Sequence, residues 1–496
     1  MKNYTRVAFY ALLPLWVGAC ATSSPPQMVS APLPARWLAP LPAQVSLAQQ
    51  PQKPHQGSLT DLTQWWQQQG DPLLVELIAA AQAVSPTVAT ARSRIEQSRA
   101  ARVAAGAALA PTLDASASAS RGNSQQSGGP GASPIATTTQ AGLQAAWEID
   151  LFGGNRASAN AATERLAGAE AQWHDARVSV AAEVANQYYS LRSCRQLAQV
   201  TQADAASRQE TARLSNLGTQ AGFTAPATDA LARASAFEGS GRATQQRAQC
   251  ELDIKALVAL TGIAEPDIRS KVAEAQEGRA QAAIISIASV PANALAQRPD
   301  VFSAEREVAA ASADIGSFEA QRYPRLSLSG AIGRSGIHSG GETVSLNTWS
   351  IGPLALTLPL FDGGRRAANV AAARARYDEA AALYRARVRQ AVREVEQALV
   401  TLQSTAERET DAQGAVAGFQ ASFTGTEARY RGGLAGLVEL EDARRSLLGA
   451  QITEASLQRE RRAAWVALYR AMGGGWTPAL VSTSASATSS GPAASR

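Results

Sequence analysis

The chain has 496 residues, with 46 Lys+Arg against 41 Asp+Glu for a net charge of +5, too thin a surplus to mark a nucleic-acid binder. Alanine supplies 106 residues and aromatics only 5%, which suits long, closely packed helices better than a compact aromatic core. There are three His and three Cys, no CxxC, HExxH or GxSxG, and no lysine preceded by glycine, so no enzyme, metal site or cofactor is expected.

In chain order, Lys2 and Arg6 precede an uncharged, mostly apolar run over 7–17, too short to span a bilayer and read as an export signal. It ends in Val17-Gly18-Ala19-Cys20, which resembles the bacterial lipobox, so 1–19 is expected to be a lipoprotein signal peptide and Cys20 the acylated first residue. Ala21, rather than Asp, follows it, as in lipoproteins sorted to the outer membrane. Acyl chains anchor at ~0.8 kcal/mol per buried methylene. Eight prolines without periodicity make 20–57 an expected lipidated, extended tether. The Ser/Ala/Thr-rich 476–496 is an expected disordered tail. No stretch of the mature chain offers ~18 consecutive apolar residues, so any membrane crossing must use β-strands.

The sequence also repeats itself. A shift of 213 lays Pro86 on Pro299, Val88 on Val301, Ala91 on Ala304, Pro111 on Pro324 and Leu113 on Leu326 without a gap. Farther on, Leu151-Phe152-Gly153-Gly154 meets Leu360-Phe361-Asp362-Gly363-Gly364 with one insertion, and at a shift of 211 Gly222 meets Gly433. The expected division is a first repeat over 58–262, an inter-repeat equatorial segment over 263–291 and a second repeat over 292–475.

Each repeat predicts a helix, a β-hairpin and a long helical hairpin. The first helices are 86–109 and 299–322, ended by Pro111 and Pro324. Residues 113–120 alternate Leu/Ala with Asp/Ser, and 139–150 place Thr, Ala, Leu, Ala, Trp and Ile at odd positions, the period of a strand with one apolar face. The second copy predicts strands over 326–332 and 349–360 around a Gly/Ser/His loop, with alternation slipping one place near Pro353. Proline-free helices follow over 155–217 and 365–430; 63 residues extend about 95 Å. They turn at Gly218/Gly222 and Gly432/Gly433/Gly436 and return over 226–261 and 437–472.

Nothing in either repeat covers the apolar strand face, which favours lipid. Four strands cannot close a barrel, for which about eight is the minimum. The predicted fold class is therefore an outer-membrane β-barrel plus a long α-helical barrel, internally duplicated, with four strands per protomer and closure by oligomerisation. Cys194 and Cys250 each lie 28 residues from Gly222, level across an antiparallel hairpin, which predicts a disulfide. His55, His174 and His338 are isolated, and surface or loop positions are expected for them.

Several motifs carry a family resemblance: Trp65-Trp66 with Asp71-Pro72-Leu73, Arg298-Pro299-Asp300-Val301, Ala313-Asp314-Ile315-Gly316, Tyr323-Pro324-Arg325-Leu326-Ser327-Leu328 and Pro359-Leu360-Phe361-Asp362-Gly363-Gly364-Arg365. Over 59–475 the chain resembles TolC-like outer-membrane efflux proteins, most of all the lipoprotein outer-membrane factors of RND-type tripartite pumps, the OprM or NodT family. Ser85-Pro86-Thr87 departs mildly from the family pattern. The resemblance implies a homotrimer with a twelve-strand barrel in outer-membrane lipid and a periplasmic α-barrel. It also implies helical tips, here Gly218, Gly222, Gly432, Gly433 and Gly436, that meet a periplasmic adaptor linked to an inner-membrane RND-type transporter. Carried over by position, Asp442 and Glu439 would ring the narrow periplasmic end of the duct; acids in a first helical turn also complement the macrodipole. The expected function is passive export of small molecules. The alternatives are a type I protein-secretion duct, disfavoured by the lipobox, and a structural coiled-coil envelope lipoprotein, disfavoured by the two apolar hairpins.

Overall fold

The computed structural model describes residues 24–39, 65–123, 135–274, 295, 298–339 and 341–476. The expected lipobox with Cys20, His55, most of the proline-rich segment, most of the first hairpin loop, much of 263–291 and the C-terminal tail beyond Trp476 lie outside them. The chain divides into two compact units. Unit 1 holds 90–172 and 303–387 with the stretch before 33; unit 2 holds 33–89, 173–302 and the chain from 388 onward.

Unit 1 contains a four-stranded antiparallel sheet in the order β1 (Thr112–Asn123), β2 (Ile135–Ile149), β3 (Arg325–Ser339) and β4 (Glu342–Thr357). The second hairpin is tighter than expected. Ser335, Gly336, Ile337 and His338 pair with Leu346, Ser345, Val344 and Thr343, so the expected Gly/Ser/His loop is largely strand. Ladder hydrogen bonds to neighbours on both sides override the weak β-propensity of Gly and Ser.

The register assigns every side chain to a face. Ile149, Leu326 and Leu356 share one row; Trp147, Leu328 and Leu354 the next; then Leu113, Ala145 and Ile351; then Leu143, Ile332 and Trp349. Six residues of strand make this apolar band about 20 Å long. Nothing among the described residues covers it: Trp349 is 76% and Ile351 84% exposed. The opposite face carries Asp114, Gln144, Gln140, Glu148, Ser327 and Ser350, with Ile337, Val344 and Leu346 its large apolar exceptions near the loop end. The slip near Pro353 is a β-bulge. Leu328 pairs with Leu354 but Gly330 pairs with Ile351, so Gly352 and Pro353 oppose Ser329 alone. The bulge switches β4 from odd to even apolar positions and keeps Leu354 and Leu356 on the lipophilic face.

The strand-to-helix corners are built alike in both copies. Asp150 accepts from the backbone N–H of Asn155 (3.2 Å) and Arg156 (2.9 Å), and Asp362 from Gly364 (3.0 Å) and Arg366 (3.2 Å). Each carboxylate caps the free amides that begin a long helix. Those helices are α4 (Gly154–Gln220) and α8 (Arg365–Arg431), each of 67 residues, preceded by α3 (Pro86–Ala107) and α7 (Pro299–Ala320). No single described helix is long and apolar enough to cross a membrane.

Unit 2 is organised around α1 (Trp65–Gln68), α2 (Pro72–Val84) and the return helices α5 (Pro226–Thr261) and α9 (Leu437–Ala471), with the short α6 (Glu265–Glu274). Its core gathers Trp65, Leu74, Leu77, Tyr188, Leu191, Leu257, Ile268, Leu399, Trp465 and Leu468. Trp65 stacks on Tyr469 with centroids 5.1 Å apart. Asp71 caps α2 through Leu74 N–H (3.2 Å) and also accepts from the Tyr188 hydroxyl (2.8 Å) and the Arg192 guanidinium (2.9 Å). Burial, followed by the Asp71 charge, pushes the Tyr189 phenol up to about 12. Arg298 does comparable work, donating to the Ala471 carbonyl (3.0 Å), to Asp300 (2.9 and 2.8 Å) and to Glu394 (2.8 Å). Burial opposes its charge, yet the bonds and charges of the two carboxylates raise its pKa.

The described part of the proline-rich stretch has neither helix nor strand, and it is fastened down. In unit 1, Ser312 and Tyr377 hydroxyls donate to the carbonyls of Pro25 (2.5 Å) and Pro26 (2.9 Å). In unit 2, Leu38 and Ala39 N–H both donate to Glu396 at 2.7 Å and Trp37 is buried. Prolines hide no amides of their own, so a few side-chain acceptors and donors suffice to hold the strap. Cys194 on α4 and Cys250 on α5 stand level, Cα atoms 5.5 Å apart, with their sulfurs bonded and 56 residues of sequence separation. In the chain-entropy model such a closure stabilises by roughly 4 kcal/mol. His174 sits inside α4, half-buried against Trp173 (centroids 4.8 Å apart), with its pKa lowered first by burial and then by Arg177, so the surface or loop expectation fails there. His338 lies on β3, exposed.

Candidate functional site

The candidate site is the tip end of the two helical hairpins, within unit 2. Both tips are the same backbone device. At the first, Phe223 N–H bonds the Gly218 carbonyl (2.8 Å) and Gly222 N–H the Thr219 carbonyl (3.1 Å); at the second, Leu434 N–H bonds Arg429 (2.8 Å) and Gly433 N–H bonds Tyr430 (3.0 Å). This paired closure requires a left-handed residue just past the helix, and Gly222 (φ 77°) and Gly433 (φ 73°) supply it. Gly218 is held for a different reason: a Cβ there would meet the Thr224 hydroxyl at 2.4 Å. Gly436 is the N-cap of α9, and Gly432 lies between the end of α8 and the turn.

The residue after each turning glycine is apolar and normally folds back on its own helix. Here it does not. Phe223 is 90% exposed and Leu434 75%. The two repeats thus present one uncovered apolar side chain each at the same position of the same turn. Sequence reasoning named the glycines and missed these neighbours, although the shift of 211 that aligns Gly222 with Gly433 also aligns Phe223 with Leu434.

The first turns of α9 sort their acids by depth. Glu439 accepts from Arg429 (2.6 Å), whose second amine group bonds the Leu434 carbonyl (3.2 Å), so this pair braces the tip. Asp442, with its side chain 63% exposed, has Arg445 at 3.3 Å one turn on. Glu441 points the other way and is buried. It accepts from Arg208 Nη1 (2.5 Å) and the Ser235 hydroxyl (2.7 Å) and pairs with Arg444. Arg208 also clasps Asp204 (3.1 and 2.9 Å), while Arg444 donates to Ser207 (3.0 Å) and Thr211 (3.1 Å). Burial lowers the pKa of Arg444, the Glu441 charge opposing and the Arg208 charge assisting. Two carboxylates and two guanidiniums therefore tie α4, α5 and α9 together a few turns from the tips, beside the apolar contact of Ala212, Ala232, Leu437 and Leu440. This cluster was not foreseen, because its two halves, Asp204 with Arg208 and Glu441 with Arg444, lie more than 200 residues apart and each looks like an ordinary helix pair. Among the described residues no group of His, Cys, Asp and Glu could hold a metal ion.

Removing one partner from a buried ion cluster leaves an uncompensated charge, at about 3–5 kcal/mol. Glu441→Ala should therefore lower the thermal unfolding temperature and speed amide exchange over 204–211 and 437–448, and Glu441→Gln should do so less. Unaltered exchange in both variants would show that the cluster does not hold the tips.

Comparison with known proteins agrees with this geometry. The family model described as outer membrane efflux protein matches residues 77–263 and again 290–474. Outer membrane protein OprJ of Pseudomonas aeruginosa is 31% identical over 476 residues, 94% of this chain and 95% of that protein. The solvent efflux pump outer membrane protein SrpC of Pseudomonas putida is 28% identical over 483 residues, 96% of this chain and 99% of that one. The solved outer-membrane channel OprN superposes with a TM-score of 0.79 at 27% identity, covering 92% of this chain and 99% of that chain.

Proposed function

We infer, because the chain belongs to the outer membrane efflux protein family, that it is the outer-membrane exit duct of a tripartite efflux pump, passing small molecules from a periplasmic adaptor and an inner-membrane RND-type transporter to the exterior. The observation that carries this reading is the four-stranded sheet with one bare apolar face and two unpaired edges, joined to two long helical hairpins. In lipid an open edge costs several kcal/mol per unsatisfied group, so copies must close a ring. Three copies give twelve strands. The work is transport, and the family is one of channel proteins rather than enzymes. The names of OprJ and SrpC as outer membrane proteins, one of a solvent efflux pump, favour small-molecule efflux over protein secretion.

Anchoring adds a lipid at Cys20, supported by the lipobox alone. Metabolic labelling with palmitate should be lost in Cys20→Ala, with oligomer formation kept because the strands still insert; label persisting in that variant removes the lipid from this position.

At the hairpin tips, the exposed Phe223 and Leu434 are the adaptor contacts, uncovered apolar side chains that a partner would bury. Phe223→Asp and Leu434→Asp should each weaken capture of the cognate adaptor by about tenfold or more while leaving the oligomer intact. Undiminished capture by the double variant would refute the tip contact.

The exposed Asp442 ring, with Glu439 beside it, narrows the closed duct: like charges near the axis attract cations and set the constriction. Asp442→Ala should raise single-channel conductance in planar bilayers and weaken block by divalent cations. If neither Asp442→Ala nor Glu439→Ala alters conductance, the constriction lies elsewhere.

A further inference from the structure

The acids of the sheet keep to one face, which they share with Arg325 at the helix end of β3, while the other basic strand residues lie on the opposite face. The acids of the four strands are Asp114, Glu148 and Glu342, and the register places all three on the face opposite the apolar band. Arg121, Arg334 and His338 lie on the same face as the band, beyond its last row: Arg334 stands in the row after Leu143–Ile332–Trp349, and Arg121 and His338 flank Thr137 two rows farther on. One row is about 7 Å along a strand. The helices join the sheet at its other end, so this basic zone lies toward the hairpin loops.

The zone also has shape. Ala117, Ala119, Ala141, Gly336 and Ser345 leave a shallow depression of about 630 Å³ beside Arg334. Arg334 donates to the Ser345 hydroxyl (3.2 Å) and His338 Nδ1 lies 2.9 Å from the Thr343 hydroxyl, so both side chains are steadied against β4 rather than free in solvent. A water-facing surface gains nothing from keeping every strand carboxylate off the side that carries an apolar belt. A surface that meets anionic headgroups does, since an acid there would repel them and an arginine pairs with phosphate through two parallel N–H donors.

We propose that this basic zone, continuous with the apolar band, docks a phosphorylated glycolipid of the outer leaflet: the acyl chains lie on the Leu143–Ile332–Trp349 side, and the sugar phosphates meet Arg334 and Arg121 over the small-residue depression. The inference rests on the reading of the sheet as part of a closed membrane barrel. Its two arginines take no part in the tips or the constriction, so the same preparations can report conduction and lipid capture separately.

The test uses the full-length purified oligomer in detergent, offered diphosphorylated lipid A, its monophosphorylated form, phosphatidylglycerol or phosphatidylcholine, with retained lipid read by native mass spectrometry. Diphosphorylated lipid A should be retained best. Arg121→Gln and Arg334→Gln should each cut its retention about fivefold, as expected for one arginine near an anionic surface, and Arg334→Lys less. Retention that ignores the phosphates would overturn the proposal in favour of apolar anchorage alone, and equal retention of phosphatidylglycerol would overturn the choice of glycolipid. Should the substituted proteins fail to assemble, the wild-type comparison among the four lipids still decides. Normal conductance with no phosphate preference would sink this inference and leave the duct standing; absence of conductance would strike the duct itself.

Discussion

A sheet of four strands with one bare apolar face and two unpaired edges cannot persist alone in lipid, where no water is available to satisfy edge amides and carbonyls. Everything else about the chain is arranged around that incompleteness. Each repeat contributes one hairpin, the hairpins pair β2 with β3, and β1 and β4 are left to find partners on other copies. The bulge at Gly352–Pro353 matters for the same reason: without a two-for-one step, Leu354 and Leu356 would turn to the polar side.

Duplication gives the molecule matched solutions to shared local problems. Asp150 and Asp362 cap the two long helices at the strand corner, and Gly222 and Gly433 close the two tips with the same pair of backbone bonds. Where the repeats diverge, the divergence is structural. The disulfide staples the first hairpin, while Ser404 and Arg461 stand at the corresponding places of the second, where Arg461 instead pairs with Glu409. Asp71 and Arg298 belong to family-like motifs and turn out to be hubs, each satisfying a helix end and two further side chains at once.

Near the tips, burial separates neighbours that the sequence writes side by side. Glu439, Glu441 and Asp442 occupy one turn and a fraction of α9, yet Glu441 is buried among guanidiniums while the other two face outward. A helix rotates each residue by about 100°, so adjacent acids can serve packing and solvent at once. The buried cluster ties the return helix to α4 and α5, while Glu439 pairs with Arg429 and Asp442 with Arg445 at the surface.

Periodicity and punctuation determined much on their own. Alternation over 139–150 gave a strand and its apolar face, proline-free alanine-rich runs gave the long helices to within three residues, and glycine positions gave both tips. These are local properties, dictated by the period of two in strands, by helix propensity and by the φ > 0 that only glycine adopts cheaply. The symmetric spacing of Cys194 and Cys250 about Gly222 even placed a cross-link, because an antiparallel pair converts sequence distance into height. What remained for the tertiary structure were the features that depend on distant partners: the extension of β3 through its Gly/Ser/His stretch, the strap over Ser312, Tyr377 and Glu396, the burial of Glu441 between Arg208 and Arg444, and the segregation of strand acids from Arg121 and Arg334. Each depends at least in part on partners tens to hundreds of positions away, and no local pattern reveals which distant side chain will neutralise a charge or cover a face.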